Sequence, residues 1–479
     1  MAYSHPNPRK KIRMKVLVAS RYVDPDYASG NNNVTMQVKS LQSDFNIDTE
    51  ILTWPFNDHW SGPMPQADLQ DPPLRVIRSE VTYHVFTAPV TWNEGANGNT
   101  IRAVDWDTAV AYGKLLLTRL KPDIVHLHHR HGMWWILESA QQLGIKTIYT
   151  NHDWGLFCLR TLLINGNGEQ CDGVLTPQKC AACVLKSRSP LGRLIEKSTQ
   201  FAIGRQLWRL LKSAWFLSPS RRQYIAVESV NIRTKLHQNR VRSVLARLDH
   251  LITPSRFGQN VFEMAGVPAN KTLVLPWYYD RAIAQAFKKE APESFTLCYL
   301  GRVSPEKGLN VVLEALESIK TGPPIKLIVG GSIDNKFALN LKRKYSSAAG
   351  IHTVVWAGFS NPSAIFKNAH AFVCAGRGID NSPLSVIEAL ATNTPVVAFQ
   401  TPPLVELLTE GSTGFFAAGT TAASFAQALE RAHHAYRTTQ FKDTVFQNID
   451  TLQEYLAKIV TAYEQLLSNS SARSLSSCQ

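Results

Sequence analysis

Two basic residues flank a turn in which a buried strand is followed by a helix. In "YLGRVSPEKGLNVVLEAL" the apolar strand ends at Gly301, Arg302 follows it, and Lys307 stands just before the next helix. Cations beside a helix N-terminus can hold a diphosphate, because the backbone N–H groups and the helix dipole add to the fixed charges. The pattern indicates an anion site, although surface Arg and Lys residues also occur in such units without binding anything.

A second unit of this kind carries two acids eight residues apart. In "GIDNSPLSVIEALATNTPVV" we expect Ser382 to cap the helix and Pro383 to be its first residue. Asp380 and Asn381 then lie in the preceding turn. Glu388 falls about two turns into the helix among apolar neighbours, so its carboxylate is expected to be buried. Carboxylates accept hydrogen bonds from hydroxyl groups, and the pair is therefore suited to the hydroxyls of a sugar or a ribose.

Four of the seven cysteines fall within 26 residues of one another. They are Cys158, Cys171, Cys180 and Cys183. Four thiolates that end in a Cys-x2-Cys pair can form a tetrahedral structural zinc site, which would order a loop rich in Gly and Asn. Free or redox-active thiols are the alternative interpretation.

The segments that must position these residues alternate between apolar runs and helical stretches. Apolar runs such as "MKVLVA", "IVHLHH" and "TIYTNH" occur in the first half of the chain, and "TLCYLG", "IKLIVGG", "AFVCA" and "PVVAF" occur in the second. This alternation predicts parallel sheets covered by helices. A chain of 479 residues is expected to form two such domains, with a ligand at the carboxyl ends of the strands.

The alternation lapses around Pro276 to Ser294, which is the expected linker. The predicted organisation is a first domain over 14–276 with an insertion at about 156–247, a second domain over 295–440, a C-terminal helix over 441–467 that packs back toward the first domain, and a disordered tail over 468–479.

The formal net charge of +14 is concentrated in one segment. Lys186 to Arg247 contains fourteen Lys and Arg residues but only two acids, and part of it mixes basic and aromatic side chains at helical spacing. Such a surface could bind an anionic membrane, although solvated basic helices packed on the domain explain the pattern equally well. The sequence contains no run of about 18 apolar residues, which is the length that a transmembrane helix requires. The protein is therefore expected in the cytoplasm, either free or peripheral on the inner face of the cell membrane.

Several of these segments, in the same order, resemble the family 4 glycosyltransferases of the GT-B fold, the group 1 enzymes that use nucleotide sugars and retain the anomeric configuration. The similar stretches include "GRVSPEKGLNVVLEAL", "DNSPLSVIEALATNTPVVAF", "EGSTGFF", "LGIKTIYTNHDW" and "LITPSRFGQNVFEMAGVP". The resemblance spans about Lys15 to Leu467 and is weakest in the basic segment. It implies an α/β protein with two Rossmann-like domains facing a central cleft, and a Cys-containing, basic helical insertion in the first.

The resemblance also implies roles for single residues. Arg302 and Lys307 would hold the donor diphosphate, and Glu388 would bind the nucleotide ribose. Asp380 stands where the family has a Glu that faces the donor sugar. His152 matches a family His that faces the same sugar, with a His bonded to backbone as the alternative. The other implied donor-binding positions are Gly30, Asn31, Asn381, Ser382, Pro383 and Leu384. Gly30 and Asn31 stand where the family usually has a Gly-Gly turn, so this sequence keeps only one of the two glycines.

The implied reaction is that of a hexosyltransferase. It moves a glycosyl group from a nucleoside diphosphate sugar to a hydroxyl of a glycan or lipid-linked acceptor, as in polysaccharide or glycolipid synthesis. The diphosphate gains charge as it leaves, and Arg302 and Lys307 would stabilise that charge. No catalytic cofactor is expected, because the family needs no metal for this role.

Other functions would explain parts of this pattern. Another nucleotide-sugar enzyme of the same fold, such as an epimerase, would share the donor site, and the departures at Asn31 and Asp380 are compatible with an inactive relative. A nucleic-acid-binding protein with a zinc module would explain the charge but neither the cation pair nor the acid pair. The Cys cluster also lacks a basic recognition helix between its cysteines, so no nucleic-acid partner is expected.

Overall fold

The computed structural model describes the two sheets, the helices around them and most of the connecting loops. The described residues are 14–20, 23, 32–53, 73–86, 106–128, 133–158, 160–173, 176–186, 235–279, 294–438 and 449–476. The predictions made for Gly30, Asn31 and the basic residues between 187 and 234 lie outside these ranges.

The first sheet is built from apolar runs of the first half of the chain. Its strands are β1 Lys15–Ala19, β2 Asp48–Thr53, β3 Leu74–Arg78, β4 Val81–Val85, β5 Ile124–Leu127, β6 Lys146–Thr150, β7 His250–Thr253 and β8 Thr272–Val274. Their order is β3-β4-β2-β1-β5-β6-β7-β8, and the pairs run parallel except for β3 with β4. The central strands β1, β5 and β6 are almost entirely buried, because helices cover both faces of the sheet.

The second sheet repeats this arrangement in the second half of the chain. Its strands are β9 Thr296–Leu300, β10 Lys326–Gly330, β11 Ala348–Ala349, β12 His352–Gly358, β13 Ala371–Cys374, β14 Val396–Phe399 and β15 Gly414–Ala417. Their order is β11-β12-β10-β9-β13-β14-β15, with β11 and β12 antiparallel. The prediction of two Rossmann-like domains is confirmed. In each sheet the order reverses beside the first strand of the domain, which opens a crevice at the carboxyl ends of the strands.

The helices flank these strands. Their bounds in the described residues are Asn32–Ser43, Trp106–Leu120, Trp135–Gln142, Pro177–Lys186, 235–246, Arg256–Met264, Leu309–Ser318, Lys336–Lys344, Pro362–Lys367, Leu384–Ala391, Pro402–Leu407, Ala422–Thr438 and Leu452–Ser476, with short 3-10 helices at Ala269–Lys271 and Pro305–Lys307. None of the described helices combines the length and apolar character that a membrane span requires.

The C-terminal helix Leu452–Ser476 packs back on the first domain. Tyr463 is fully buried, and its hydroxyl lies 2.6 Å from Nδ1 of His126 on β5. The other ring nitrogen of His126 lies 2.7 Å from the hydroxyl of Thr150 on β6. The last helix of the chain is therefore hydrogen-bonded to a side chain in the centre of the first sheet.

This helix also extends further than the sequence indicated. Disorder was expected from residue 468, but the helix continues to Ser476. Ser and Asn are only moderately worse helix formers than Ala, and each residue added to an existing helix gains a hydrogen bond. A polar composition is therefore a weak signal of disorder directly after an established helix.

Replacing Tyr463 with Phe is expected to lower the free energy of unfolding by about 1–3 kcal/mol, because it leaves Nδ1 of buried His126 without its partner. Tyr455 is a matched control on the same helix, since it is equally buried and its hydroxyl has no hydrogen-bond partner among the described residues. Tyr455→Phe is expected to change stability by less than about 0.5 kcal/mol or to raise it. Urea denaturation followed by circular dichroism measures both, and equal losses would contradict the role given to the Tyr463 hydroxyl.

Mild acid is expected to destabilise the protein through His126. Burial lowers the pKa of His126 to about 3, whereas the same ring in the unfolded chain takes up a proton near pH 6.5. The stability that the neutral ring contributes is therefore complete above pH 6.5 and is lost as the pH falls toward 3. At pH 5.5 this loss is about 1 kcal/mol relative to pH 7.5.

Urea midpoints measured at these two pH values check the prediction. His126→Gln keeps amide partners for Tyr463 and Thr150 but cannot titrate, so it should show a smaller pH dependence than the wild type. Some dependence should persist, because burial also lowers the pKa of His250 and His352. An identical pH dependence in the variant would show that His126 is not responsible.

Candidate active site

Arg302 lies at the carboxyl end of β9. Its side chain is 75% exposed, with Nη2 3.8 Å from Oε1 of Glu306. The hydroxyl of Tyr299 donates to the Arg302 carbonyl at 2.6 Å and holds the backbone of the turn. The backbone position is therefore fixed while the guanidinium stays accessible to a ligand.

Lys307 is placed by a close approach of two backbone segments. Gly308 follows it with a φ of 73°, and a Cβ at this position would lie 1.8 Å from the carbonyl oxygen of Ala375. Only glycine fits, so the turn after β9 packs directly against the end of β13. Lys307 consequently reaches the next turn, where its Nζ lies 2.9 Å from Oδ2 of Asp380.

The ion pair of Lys307 and Asp380 joins the two sets of residues singled out from the sequence. The carboxylate of Asp380 raises the pKa of Lys307, so the ammonium stays charged. The side chains are 36% and 39% exposed, respectively. A pair this accessible contributes at most about 1 kcal/mol to stability. Both charges can therefore be reached by a ligand in the cleft.

Three polar atoms in the same two turns are buried and have no hydrogen-bond partner among the described residues. They are Ser304 Oγ, Arg377 Nε and Ser382 Oγ. The turns are tied together by the backbone N–H of Arg377, which donates to the carbonyl of Glu306 at 3.1 Å. Because buried polar groups are normally paired, these atoms indicate a site for a polar ligand or ordered water. Arg377 was missed by the sequence reasoning, although it follows the predicted strand "AFVCA".

The helix that carries Glu388 begins one residue later than predicted. It is Leu384–Ala391, and Pro383 is its N-cap with a ψ of 119°. The prediction that Ser382 caps the helix is wrong, because the extended Pro383 separates Ser382 from the first turn. Glu388 itself is only partly buried, although the apolar residues on either side of it are buried. Its carboxylate is therefore less enclosed than the sequence suggested.

His152 follows β6 and is held by two aromatic rings. Its Nε2 lies 3.1 Å from Nδ1 of His128, a buried residue that follows β5. Its ring stacks on Trp277 with 4.7 Å between the ring centres. Sequence reasoning identified His152 but neither of these partners, although "HLHH" also ends a predicted strand.

Asn381 connects the two halves of the site. Its Nδ2 donates to the carbonyl of Asn151 at 3.0 Å, and its Oδ1 accepts from the hydroxyl of Ser255 at 3.0 Å. Asn151 precedes His152, and Asn381 follows Asp380, so the segments of both candidate catalytic residues meet across the cleft. Asn381 was expected to face the donor, but both polar atoms of its side chain contact the first domain.

The four clustered cysteines lie on neighbouring pieces of the insertion. Cys158 and Cys171 bound a loop, and Cys180 and Cys183 share one face of the helix Pro177–Lys186. All four are free thiols, and burial raises the pKa of Cys180 to about 12. Within the described ranges, no three His, Cys, Asp or Glu side chains are grouped so that they could hold a metal ion. The zinc site stays a prediction.

The described end of the basic segment packs on the first domain. Arg240 forms ion pairs with two acids of this domain. Its Nη2 is 2.8 Å from Oδ1 of Asp107, and its Nε is 3.3 Å from Oε2 of Glu138. Its guanidinium also lies 5.1 Å from the ring centre of Trp106. The guanidinium of Arg240 thus makes contacts within the first domain. The rest of the predicted membrane surface lies outside the described residues.

Comparison with known proteins gives a family match that covers the second domain. Residues 280–440 match the family model described as Glycosyl transferases group 1. The chain is 27% identical over 202 residues to alpha-monoglucosyldiacylglycerol synthase of Streptococcus pneumoniae, covering 39% of this chain and 45% of that protein. It is 23% identical over 196 residues to the capsular polysaccharide biosynthesis glycosyltransferase CapM of Staphylococcus aureus, covering 40% of this chain and 48% of that protein. The matches thus span about half the length of these relatives.

Solved structures match over nearly the whole chain. Sucrose-phosphate synthase from Thermosynechococcus elongatus has a TM-score of 0.58 at 15% identity, covering 95% of this chain and 100% of the other. The Anabaena protein HepE, solved in complex with UDP and glucose, has a TM-score of 0.55 at 14% identity, covering 96% and 100%. At these identities the likeness establishes the fold. The chain therefore has the two-domain GT-B fold, and its residues 280–440 are similar to the group 1 glycosyltransferases.

Proposed function

We propose that this protein is a retaining glycosyltransferase that moves a hexosyl group from a nucleoside diphosphate sugar to an acceptor hydroxyl. The observation that carries the proposal is the ion pair of Lys307 and Asp380 at the carboxyl ends of β9 and β13, with exposed Arg302 beside it. HepE has a similar fold and was solved in complex with UDP and glucose. This likeness supports a nucleotide sugar as the donor of this protein.

The two cations act on the leaving group. Breaking the bond between the sugar and the phosphate leaves negative charge on the diphosphate, and cations already in place beside it stabilise that charge without reorganising. The helix Leu309–Ser318 begins directly after Lys307 and Gly308, and no side chain caps it. Its dipole therefore adds to the field of Arg302 and Lys307. With these groups in place, the reaction needs no metal ion to balance the leaving charge.

Asp380 has a different task before and after the donor binds. In the donor-free protein it neutralises Lys307 across 2.9 Å. A diphosphate competes for that ammonium, which releases the carboxylate to accept hydrogen bonds from hydroxyls of the donor sugar. Glu388, about two turns further along, accepts from the ribose hydroxyls. The two acids thereby hold the two ends of the donor while the cations hold its centre.

The anomeric configuration is retained through attack on the same face of the sugar. The bond between the anomeric carbon and the diphosphate oxygen breaks, the acceptor oxygen forms the new bond, and its proton passes to the leaving phosphate. His152, across the cleft from Asp380 and fixed by His128 and Trp277, faces the sugar as it becomes oxocarbenium-like. Its role is to orient the donor sugar in the reactive position.

The acceptor is a glycan or a lipid-linked molecule. The names of two relatives, one a glycolipid synthase and the other a capsular polysaccharide enzyme, support this class of acceptor. Such acceptors are built at the inner face of the cell membrane, where a basic peripheral protein would be attracted to anionic lipid.

Lys307→Ala is expected to lower kcat/KM for transfer by about 10²–10³-fold, because one of the groups that stabilise the leaving charge is lost. Lys342→Ala is the matched control, since it removes the same charge from an exposed helix position.

A panel of UDP, GDP and ADP sugars first identifies the donor by the rise in melting temperature. NMR of the product then reports its anomeric configuration. An inverted product would refute retention, and an epimerised free donor would favour the epimerase-like alternative.

Glu388→Gln is expected to weaken binding of the matched nucleoside diphosphate by about tenfold, because the charged acceptor for the ribose hydroxyls is lost. Binding of inorganic pyrophosphate should be unchanged in this variant but weakened in Lys307→Ala. Calorimetric titration of both ligands separates the two effects. If Glu388→Gln binds the nucleotide as tightly as the wild type, the ribose assignment is wrong.

A further inference from the structure

The turn that carries Asp380 is hydrogen-bonded to the first domain on both sides of this residue. On one side, the backbone N–H of Ile379 donates to the carbonyl of Leu162 at 3.0 Å, and the indole N–H of Trp154 donates to the carbonyl of Ile379. On the other side is Asn381, which is 2% exposed and bonded through both polar atoms of its side chain. The backbone position of Asp380 therefore depends on contacts made by the other domain.

A second contact between the domains lies at the start of the helix Arg256–Met264. Glu406 of the second domain accepts hydrogen bonds from the backbone N–H groups of Arg256 at 2.6 Å and Phe257 at 2.8 Å. The next N–H, that of Gly258, donates to Ser255 Oγ at 3.0 Å. A carboxylate is favourable at this positive end of a helix. Two of the first three N–H groups of a first-domain helix are thus satisfied by a residue of the second domain.

The two contacts meet at Gly258. A Cβ at this residue would lie 2.1 Å from Thr253 Oγ1 and 3.2 Å from the side-chain oxygen of Asn381. The hydroxyl of Ser255 both accepts from Gly258 and donates to Asn381. Asn381 and Glu406 therefore bind adjacent residues at the same helix start, and separating the domains would break both contacts together.

We infer that Asn381 and Glu406 are positioning residues that form a latch between the domains, so that the turn of Asp380 takes its active geometry only when the cleft is closed. The inference rests on the proposed function for the role of Asp380, but the latch itself does not. When the domains part, the helix Arg256–Met264 loses two acceptors and Asp380 loses its anchors at Ile379 and Asn381. The closed state is favoured by these bonds, and removing one of them shifts the population toward the open state.

Hydrogen–deuterium exchange of the free protein tests the latch without any donor. Glu406→Ala should speed exchange at Ile379 by about fivefold or more, although the bond from Ile379 to Leu162 is not altered. In the reciprocal experiment, Asn381→Ala should speed exchange at Arg256 and Phe257. The inference would be overturned if Glu406→Ala sped exchange only at Arg256 and Phe257, which lose their acceptor, and if Asn381→Ala left exchange at these two residues unchanged.

Glu410→Ala is the matched control. Its carboxylate accepts from the backbone N–H of Phe416 at 2.7 Å and pairs with Arg431 at 3.2 Å, both within the second domain. Exchange at Ile379 should match the wild type in this variant. Glu406→Gln, which retains one acceptor oxygen, should fall between Glu406→Ala and the wild type.

Kinetics with the matched donor then test the link to Asp380. A latch acts on the closure equilibrium, so Glu406→Ala should raise the donor KM by about five- to tenfold while saturating donor restores most of kcat. Loss of kcat at unchanged KM would indicate a merely structural role and would overturn the positioning role. If no sugar is transferred by the wild type, the proposed function fails, and the exchange data still decide whether the latch exists.

Discussion

The close approach between Gly308 and the carbonyl of Ala375 sets the geometry of the site. Any side chain at residue 308 would push the turn after β9 away from the end of β13, because its Cβ would overlap the carbonyl oxygen. With glycine there, Lys307 meets Asp380 although 73 residues separate them. Two turns that are distant in sequence thus become one charged surface at the point where the strand order of the sheet reverses.

This surface is organised for binding more than for stability. The ion pair is too exposed to stabilise the fold by more than about 1 kcal/mol. Ser304 Oγ, Arg377 Nε and Ser382 Oγ have no partner in the described part of the chain, and each costs about 1–3 kcal/mol when no water or ligand meets it. Departures from complete pairing of polar groups are expected at functional sites, where a ligand completes the hydrogen bonds. The same two turns therefore carry both the accessible charges and the polar groups that a polar ligand would satisfy.

The sequence predicted the parts of the site that depend on local pattern. Arg302, Lys307 and Asp380 could be found because each follows a recognisable strand, and parallel strands end at one edge of the sheet. Ser382 was placed wrongly because a Ser-Pro pair is a good helix start in isolation. Here the neighbouring Asn381 is bonded to the first domain, and Pro383 remains extended between that anchor and the helix. Tertiary contacts overrode the local rule.

The contacts of Asn381 and Glu406 had no signal in the sequence at all. They depend on how two separately folded domains face each other, and no periodicity or motif encodes that placement. The surface helix that contains Glu406 looks ordinary, and its carboxylate acquires a function only beside the uncapped N–H groups of Arg256 and Phe257. For the same reason, Asn381 was assigned to the donor because it lies next to Asp380 in the chain.

The anchored turn also limits what an aspartate can reach at position 380, where the resemblance led us to expect a glutamate. Ile379 and Asn381 fix the backbone on both sides, so the reach of the carboxylate is set by the length of the side chain alone. The short side chain already meets Lys307 at 2.9 Å. A glutamate would add about 1.5 Å and a further rotatable bond, and it would have to fold back to make the same contact. In a turn held on both sides by the first domain, the shorter acid loses less conformational entropy when it places its carboxylate beside the Lys307 ammonium.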